Sequence, residues 1–302
     1  VTRPYVDRRV VDADGATRAA ETAARHWGMV QPVVLRRGMN AIYRCGESVL
    51  RVAKPNGPAS ASLELARTLA DAGIAVAPAV RDDVVEAGGF AVTAWRYIAA
   101  RDDGGGTGAD WATVGSMVEH VHEIDRSRLP SDLPVPYANE FPWWHHESLL
   151  DEVADELDAE AADGLRAAIQ RHRGWDDFVE SDDVVVCHGD VHPGNVIMSA
   201  DGPVLIDWDL LCLAPRGWDH SALMTWSERW GGTPGLYESF ADGAGWTGVG
   251  DRHADAFAEL RLVSATLMRW KVALVDPAAR PEAERRLAYW RGEPSAPAWR
   301  AQ

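Results

Sequence analysis

Lysine is almost absent from this chain: Lys54 and Lys271 stand alone, and every other basic side chain is an arginine. Asp and Glu number 46 against 30 Lys and Arg, a formal net charge of −16. Wrapping a nucleic-acid backbone needs clustered cations, so this balance excludes it. The charge leaves a cationic partner open, beside its plainer role in keeping the chain in solution. Cysteine is scarce as well. Cys45, Cys187 and Cys212 lie far apart in sequence without metal-ligand spacing, and are expected to be buried as small apolar side chains. No apolar run approaches the roughly 20 residues of a membrane span, and Val1 to Val11 holds no signal-peptide core. The expectation is a cytoplasmic protein with neither membrane nor nucleic acid as a partner.

Several catalytic signatures are missing too. Arg101 to Gly108 is rich in glycine, yet no Gly-Lys-Ser or Gly-Lys-Thr follows, so it reads as a linker and not as a phosphate loop. It is the best boundary between two lobes, residues 1–100 and 101–302. Trp143-Trp144-His145-His146-Glu147 lacks the spacing of a His-Glu-x-x-His zinc site. Its two indoles suit either a substrate wall or the core. No Gly-x-Ser-x-Gly or Cys/His pairing points to a hydrolase.

What is present divides the chain unevenly. Before the linker, Val33–Leu35, Ala41–Cys45 and Ser48–Ala53 read as strands, with Gly46-Glu47 as a tight turn. Ser62 to Ala72 reads as a helix stopped by Gly73, and Val84–Val85 with Phe90–Tyr97 as a second hairpin. After the linker the pattern turns helical, over Trp111–Ile124, Ser148–Leu157 and Asp163–Gln170. Strands return briefly at Val184–Cys187, Val196–Met198 and Val204–Ile206, and the chain beyond Asp219 is mainly helical.

The chemistry concentrates at the returning strands. Val184 to Cys187 delivers a loop, His188-Gly189-Asp190-Val191-His192-Pro193-Gly194-Asn195, and a hairpin then leads to Asp207. Transfer of a phosphoryl group accounts for these residue types. An acceptor hydroxyl must be aimed at phosphorus and its proton taken up, which suits the loop carboxylate Asp190. Polyphosphate charge calls for Mg²⁺, which prefers oxygen ligands such as Asn195 and Asp207. Asp209 reads as a contact to a second metal or as a solvent-facing acid. His188 reads as a brace for the loop, and His192 as a side chain with access to phosphate or substrate. Asp219 reads as the N-cap of a following helix.

In these residues the chain resembles the aminoglycoside phosphotransferase family, relatives of choline kinases and protein kinases. His188-Gly189-Asp190 with Asn195 is similar to that family's catalytic loop, and Ile206-Asp207-Trp208-Asp209 to its metal-binding segment. The resemblance implies an α+β, protein-kinase-like fold of two lobes, the first β-rich and nucleotide-binding, the second α-rich and acceptor-binding. It implies Asp190 as the catalytic residue and Asn195 and Asp207 as metal ligands. It makes Asp219 a brace on the loop backbone. ATP or GTP would be the donor, with Mg²⁺.

The match thins in the first lobe. Arg36 to Tyr43 would be the phosphate-covering hairpin, with Gly38 letting the backbone approach, although an ordinary turn reads equally well. Val49-Leu50-Arg51-Val52 resembles the strand that offers a cation to phosphate; alternation puts Arg51 opposite Leu50 and Val52, and Lys54 is the rival. The family's helix Glu would fall near Ser62; the nearest acid, Glu64, lies on another face, so the usual ion pair is in doubt. Backbone groups near Ala94 to Arg96 would meet the base edge.

The partners implied are a nucleotide and a small hydroxyl acceptor. The eight acids between Glu147 and Asp163 tilt the acceptor towards a cation, an aminoglycoside or another amine-bearing antibiotic, although apolar spacing puts most of them on a solvated face. A sugar or amino-alcohol kinase and a nucleotide-binding pseudokinase remain alternatives. A protein kinase does not fit, because the 12 residues from Asp207 to Asp219 leave too little room for a peptide-docking segment.

Overall fold

The computed structural model describes residues 2–102, 105–181 and 183–300. Asp103 and Gly104 of the expected linker lie outside the described residues.

The chain begins with a helix the strand-based reading did not single out, α1 (Ala13–His26). Asp12 caps it, accepting from the Gly15 N–H at 2.8 Å, a bond worth about 0.5–2 kcal/mol. Its alanine stripe, Ala16, Ala20 and Ala23, is buried on the sheet that follows. That sheet comprises β1 (Val33–Arg37), β2 (Ala41–Cys45) and β3 (Ser48–Ala53); then, beyond α2 (Ser60–Asp71), β4 (Val85–Ala87) and β5 (Phe90–Arg96). The strand order is β1-β2-β3-β5-β4 with every pairing antiparallel. Gly46 at φ 64° makes the tight turn between β2 and β3, and Gly73 at φ 80° follows the end of α2. Period-two alternation holds in β3: Leu50 and Val52 are buried under α1, while Arg51 points to the other face.

Among the described residues of the linker, Arg101 N–H donates to Met198 at 2.7 Å, and Thr107 and Asp110 form a capping box for α3 (Gly108–His122). The expected single helix over Ser148–Leu157 is instead α4 (His146–Asp151) and a separate 3-10 turn at Ala154–Glu156. Leu149, Leu150 and Val153 all reach the core through this bend, so apolar spacing was met without a continuous helix. α5 (Ala159–Arg171) follows, then β6 (Val184–Cys187), the hairpin β7 (Val196–Ser199) and β8 (Gly202–Leu205), and β9 (Cys212–Pro215). β9 pairs with β6 and closes the loop between them at its base. The chain ends in α6 (Gly217–Met224), α7 (Trp226–Arg229), α8 (Leu236–Ala244), α9 (Arg252–Val275) and α10 (Arg280–Trp290).

A β-rich half and an α-rich half therefore face each other, with α2 and the β7–β8 hairpin at their junction; Leu205 N–H donates to Ala75 at 2.9 Å across it. All three cysteines are buried and free. No helix among the described residues is long and apolar enough to cross a membrane.

Candidate active site

A cleft of about 350 Å³ lies between the halves. Leu35, Ile42 and Val49 line it from the sheet, Ile197 and Leu205 from the hairpin, and Trp95 and Ile98 from the connection. Two apolar walls facing each other fit the flat faces of a nucleobase. Arg51, Asp207, Trp208 and Asp209 form its polar end.

The loop between β6 and β7 is held rigidly. The Asp219 carboxylate accepts from His188 N–H at 2.9 Å and from Gly189 N–H at 2.8 Å. It sits in the first turn of α6 and is buried, so it is not the N-cap expected from sequence. The expected brace on the loop backbone is what it does. Burial pushes its carboxyl up, but His122, 3.1 Å away from α3, and the backbone bond hold it below the usual range. His188 Nε2 donates to the Ile206 carbonyl at 3.1 Å, and its Nδ1 accepts from Asp190 N–H at 3.3 Å. That pattern fixes a neutral tautomer, and burial lowers its pKa further. Gly189 is obligatory: φ is 94°, and a Cβ would land in the Leu210 carbonyl.

Asp190 emerges from this frame with its side chain 31% exposed. Asn195 Nδ2 donates to the Asp190 carbonyl at 2.9 Å and lies 3.3 Å from Asp190 Oδ2. Ile206 N–H donates to the Asn195 carbonyl at 3.0 Å. One hydrogen-bonded run thus joins Asp190 and Asn195 to the segment that carries Asp207. Burial raises the Asp190 pKa, yet His192 and Arg261 outweigh it and keep the carboxylate ionised well below its ordinary range. Asp207 has φ 67°, the one positive φ of a non-glycine among the described residues. Such strain persists only where the surroundings enforce it. Burial and the adjacent Asp209 carboxylate push Asp207 up to about 6, against Arg51 and Arg36. A carboxylate pair short of positive charge is what a divalent cation would relieve, so this donor set fits Mg²⁺.

Asp209 is neither solvent-facing nor free. It is buried, accepts from Arg51 Nη2, and takes Asn40 Nδ2 at 2.6 Å. Arg51 therefore has an acidic partner, but from the segment after β8 and not from α2. Glu64 is exposed, and Ser62 lines the cleft where the helix acid was expected. Lys54 lies over the Phe90 ring at 4.6 Å. Gly38 sits in the β1–β2 turn, its N–H donating to the Asn40 carbonyl at 2.9 Å, and the same hairpin sends Arg36 to Asp207 at 3.3 Å. Ala94 does not reach the cleft as expected. It is buried, its carbonyl accepts from Val80 N–H at 2.9 Å, and Arg96 N–H is spent on Pro78 at 2.8 Å. Arg96 itself lines the cleft, as do Tyr97 and Ile98.

Sequence reasoning missed Asn40, His122 and Arg261. Each acts through a partner at least 71 positions away, and no local spacing marks any of them. Of the Trp143–His146 cluster, Trp144 is core against Trp218 at 4.3 Å between ring centres, and Trp143 is half-buried on Phe141. Arg261 Nη1 lies 3.3 Å from Asp190 Oδ1. His192, 3.4 Å from Asp190 Oδ2, stacks on Trp226 at 5.8 Å, and Trp226 on Trp230 at 5.7 Å.

A β-sheet lobe over a helical lobe, with a strained Asp at the polar end of the cleft and a braced Asp-x₄-Asn loop bonded to its segment, is the architecture of the protein-kinase-like phosphotransferases. The model of the phosphotransferase enzyme family matches residues 33–260, and the chain belongs to that family. It is thereby a phosphotransferase acting on hydroxyl groups. Among solved structures it is similar to spectinomycin phosphotransferase in complex with ADP and spectinomycin, at 19% identity and TM-score 0.65, covering 91% of this chain and 93% of the other. An aminoglycoside 2′-phosphotransferase with GDP gives 15% identity and TM-score 0.70, covering 91% and 97%. A choline/ethanolamine kinase family protein from Mesorhizobium loti gives 16% and 0.57, covering 86% and 87%. No curated protein sequence gives a significant match.

Proposed function

We propose that this chain is a Mg²⁺-dependent small-molecule kinase that moves the γ-phosphate of ATP or GTP to a hydroxyl of a small, ring-bearing acceptor. The carrying observation is the bonded run from Asp190 through Asn195 to Ile206, next to Asp207. Residues 1–100 act as the nucleotide lobe and 101–302 as the catalytic and acceptor lobe. The base lies between the apolar walls, its edge met by backbone at Ile98, since the Ala94 carbonyl and the Arg96 and Tyr97 N–H groups already have partners. Gly38 lets the hairpin backbone approach the phosphates, and Arg51 binds them as a bidentate donor. Asn195 and Asp207 hold Mg²⁺, which when bound neutralises charge on the polyphosphate.

Asp190 accepts the hydroxyl's hydrogen bond, aims its oxygen at phosphorus and takes the proton as the new bond forms. A carboxylate held so firmly ionised is a weak base, which suits a reaction in which positioning outweighs proton abstraction.

The acids between Glu147 and Asp163 do not favour a cationic acceptor. From Glu147 to Asp163 the acids lie on an outer face, and Glu152, Asp158 and Asp163 are paired with Lys271, Arg291 and Arg166. Beside Asp190 stand the Arg261 guanidinium and the His192 imidazole, and the nearby rings are Trp226 and Trp230. Stacking surfaces of this kind suit ring faces, so sugars, amino-alcohol-bearing rings and aminoglycosides stay on one list. A nucleotide donor and three free thiols fit a cytoplasmic enzyme.

The test is transfer from [γ-³²P]ATP and [γ-³²P]GTP to a panel of aminoglycosides, other antibiotics, neutral sugars, amino alcohols and casein. Label should move to one class of small hydroxyl compound and not to casein. Nucleotide binding without transfer to any of them would make the protein a pseudokinase and overturn the proposal.

A further inference from the structure

Asp190 is held from two sides. Its own loop supplies His192 at Oδ2, whose Nδ1 accepts from Gly194 N–H at 3.0 Å and so leaves Nε2 to donate. The other side is Arg261, which comes from α9, a helix 71 positions further along the chain. Its three nitrogens each have a task. Nη1 lies 3.3 Å from Asp190 Oδ1, Nη2 lies 3.4 Å from the Gly189 carbonyl, and Nε donates to Ser221 Oγ at 3.0 Å. The guanidinium also lies 5.7 Å from the Trp144 ring centre and 5.4 Å from that of Trp218. Trp218 itself donates Nε1 to the Gly189 carbonyl at 3.0 Å. Arg261 therefore rests in a cradle of two indoles and a hydroxyl before any substrate arrives, its side chain only 17% exposed.

We propose that Arg261 is a positioning residue for the phosphoryl-transfer step, fixing the rotation of the Asp190 carboxylate from the acceptor lobe. This rests on the kinase reading above. In that step the acceptor oxygen bonds to the γ-phosphorus while the bond to the bridging oxygen breaks. The nucleoside diphosphate leaves with that electron pair, and the hydroxyl proton passes to Asp190. Arg261 neither takes this proton nor touches the nucleotide. It keeps one carboxylate oxygen occupied and the plane of the group set, so the acceptor finds one geometry instead of a rotating carboxylate. A planar guanidinium can reach Asp190, Gly189 and Ser221 together; an ammonium group cannot.

The experiment uses the whole chain with MgATP and water as the acceptor, read as inorganic phosphate released, and repeats it with whichever panel compound is phosphorylated. In Arg261→Ala, turnover should fall ~10–100-fold, while the dissociation constant for MgATP, measured by calorimetry, stays within about threefold. Added guanidinium ion should recover part of the lost turnover in Arg261→Ala but none in Asp190→Ala. Arg261→Lys should recover little. A residue that merely packs the core would show loss without rescue. Wild-type turnover in Arg261→Ala, or loss without rescue, would overturn the proposal. If the wild type itself shows no turnover that depends on Asp190, the kinase reading fails. The unfolding constants of Asp190→Asn, Arg261→Met and the double variant in urea then decide the inference alone. Coupling of about fivefold or more between the two sites supports it, and additive effects refute it.

Discussion

Asp209 joins the two lobes electrostatically through Arg51, beside the Arg36–Asp207 contact. Burial opposes the charge on Arg51, and Asp209 with Asp207 more than restores it. Buried pairs of this kind are costly to break from one side, because the survivor is left uncompensated. Asp209→Ala should therefore weaken Mg-nucleotide binding and lower thermal stability together, whereas Glu64→Ala should change neither. In a double-mutant cycle, Arg51 and Asp209 should couple by at least ~1 kcal/mol, and Arg51 with Glu64 by about zero. Calorimetry and thermal melts of the variants measure both; coupling to Glu64 instead would contradict the geometry. The sequence singled out Asp190, Asn195 and Asp207 because phosphoryl transfer would dictate residue types within one short loop and hairpin, and the fold joins that loop to the Asp207 segment by hydrogen bonds. Of the two readings of Asp209, the solvent-facing one fails, since its partners, Asn40 and Arg51, are supplied only when the sheet closes over the hairpin. Glu64 was rightly doubted, for helix register alone sets its face.

A second residue carries a pH signature away from the site. His146 is buried against Ser264 Oγ at 3.0 Å, and burial drives its pKa down to about 4. The unfolded chain takes up that proton near pH 6.5. Between these values it binds more protons than the folded chain, so stability falls as pH falls. His146→Gln should destabilise at pH 7, and the gap in Tm to the wild type should narrow as pH drops to about 4. A constant gap would refute a neutral buried imidazole.

Among the elements, α3 and α8 pack backbone to backbone, and glycine permits it. A Cβ on Gly115 would meet the Phe240 carbonyl, and one on Gly243 the Ala112 carbonyl, backbone atoms that cannot rotate away. Gly115→Ala or Gly243→Ala should cost ~2 kcal/mol or more, the magnitude of an overpacked core, read as a drop in Tm. Neither change would matter if the helices could slide apart freely. Turn glycines and alternation made the hairpins readable, down to Gly46 and the outward Arg51. The alanine face of α1 was not, because alanine carries little apolar contrast until a sheet lies under it. β9 was hidden for a related reason. Its strand character comes from pairing with β6, and Cys212 to Pro215 alone shows no alternation.

For the molecule as a whole, the proposed division of labour between the lobes rests on one connected framework. Asp219 on α6 fixes the β6–β7 loop, β9 fastens the base of that loop to β6, and Ile206 links the loop to the Asp207 segment. In the proposed mechanism the acceptor answers to Asp190 and the donor to Asp207. The most direct measurement is MgATP affinity and phosphate transfer in Asp190→Ala and Asp207→Ala, side by side. The account predicts that Asp190→Ala abolishes transfer, by at least ~100-fold, while its nucleotide affinity in Mg²⁺ stays within a few-fold of wild type. Asp207→Ala should lose transfer and the Mg²⁺-dependent part of nucleotide binding together. Full transfer by Asp190→Ala, or unchanged Mg²⁺-dependent binding by Asp207→Ala, would contradict it.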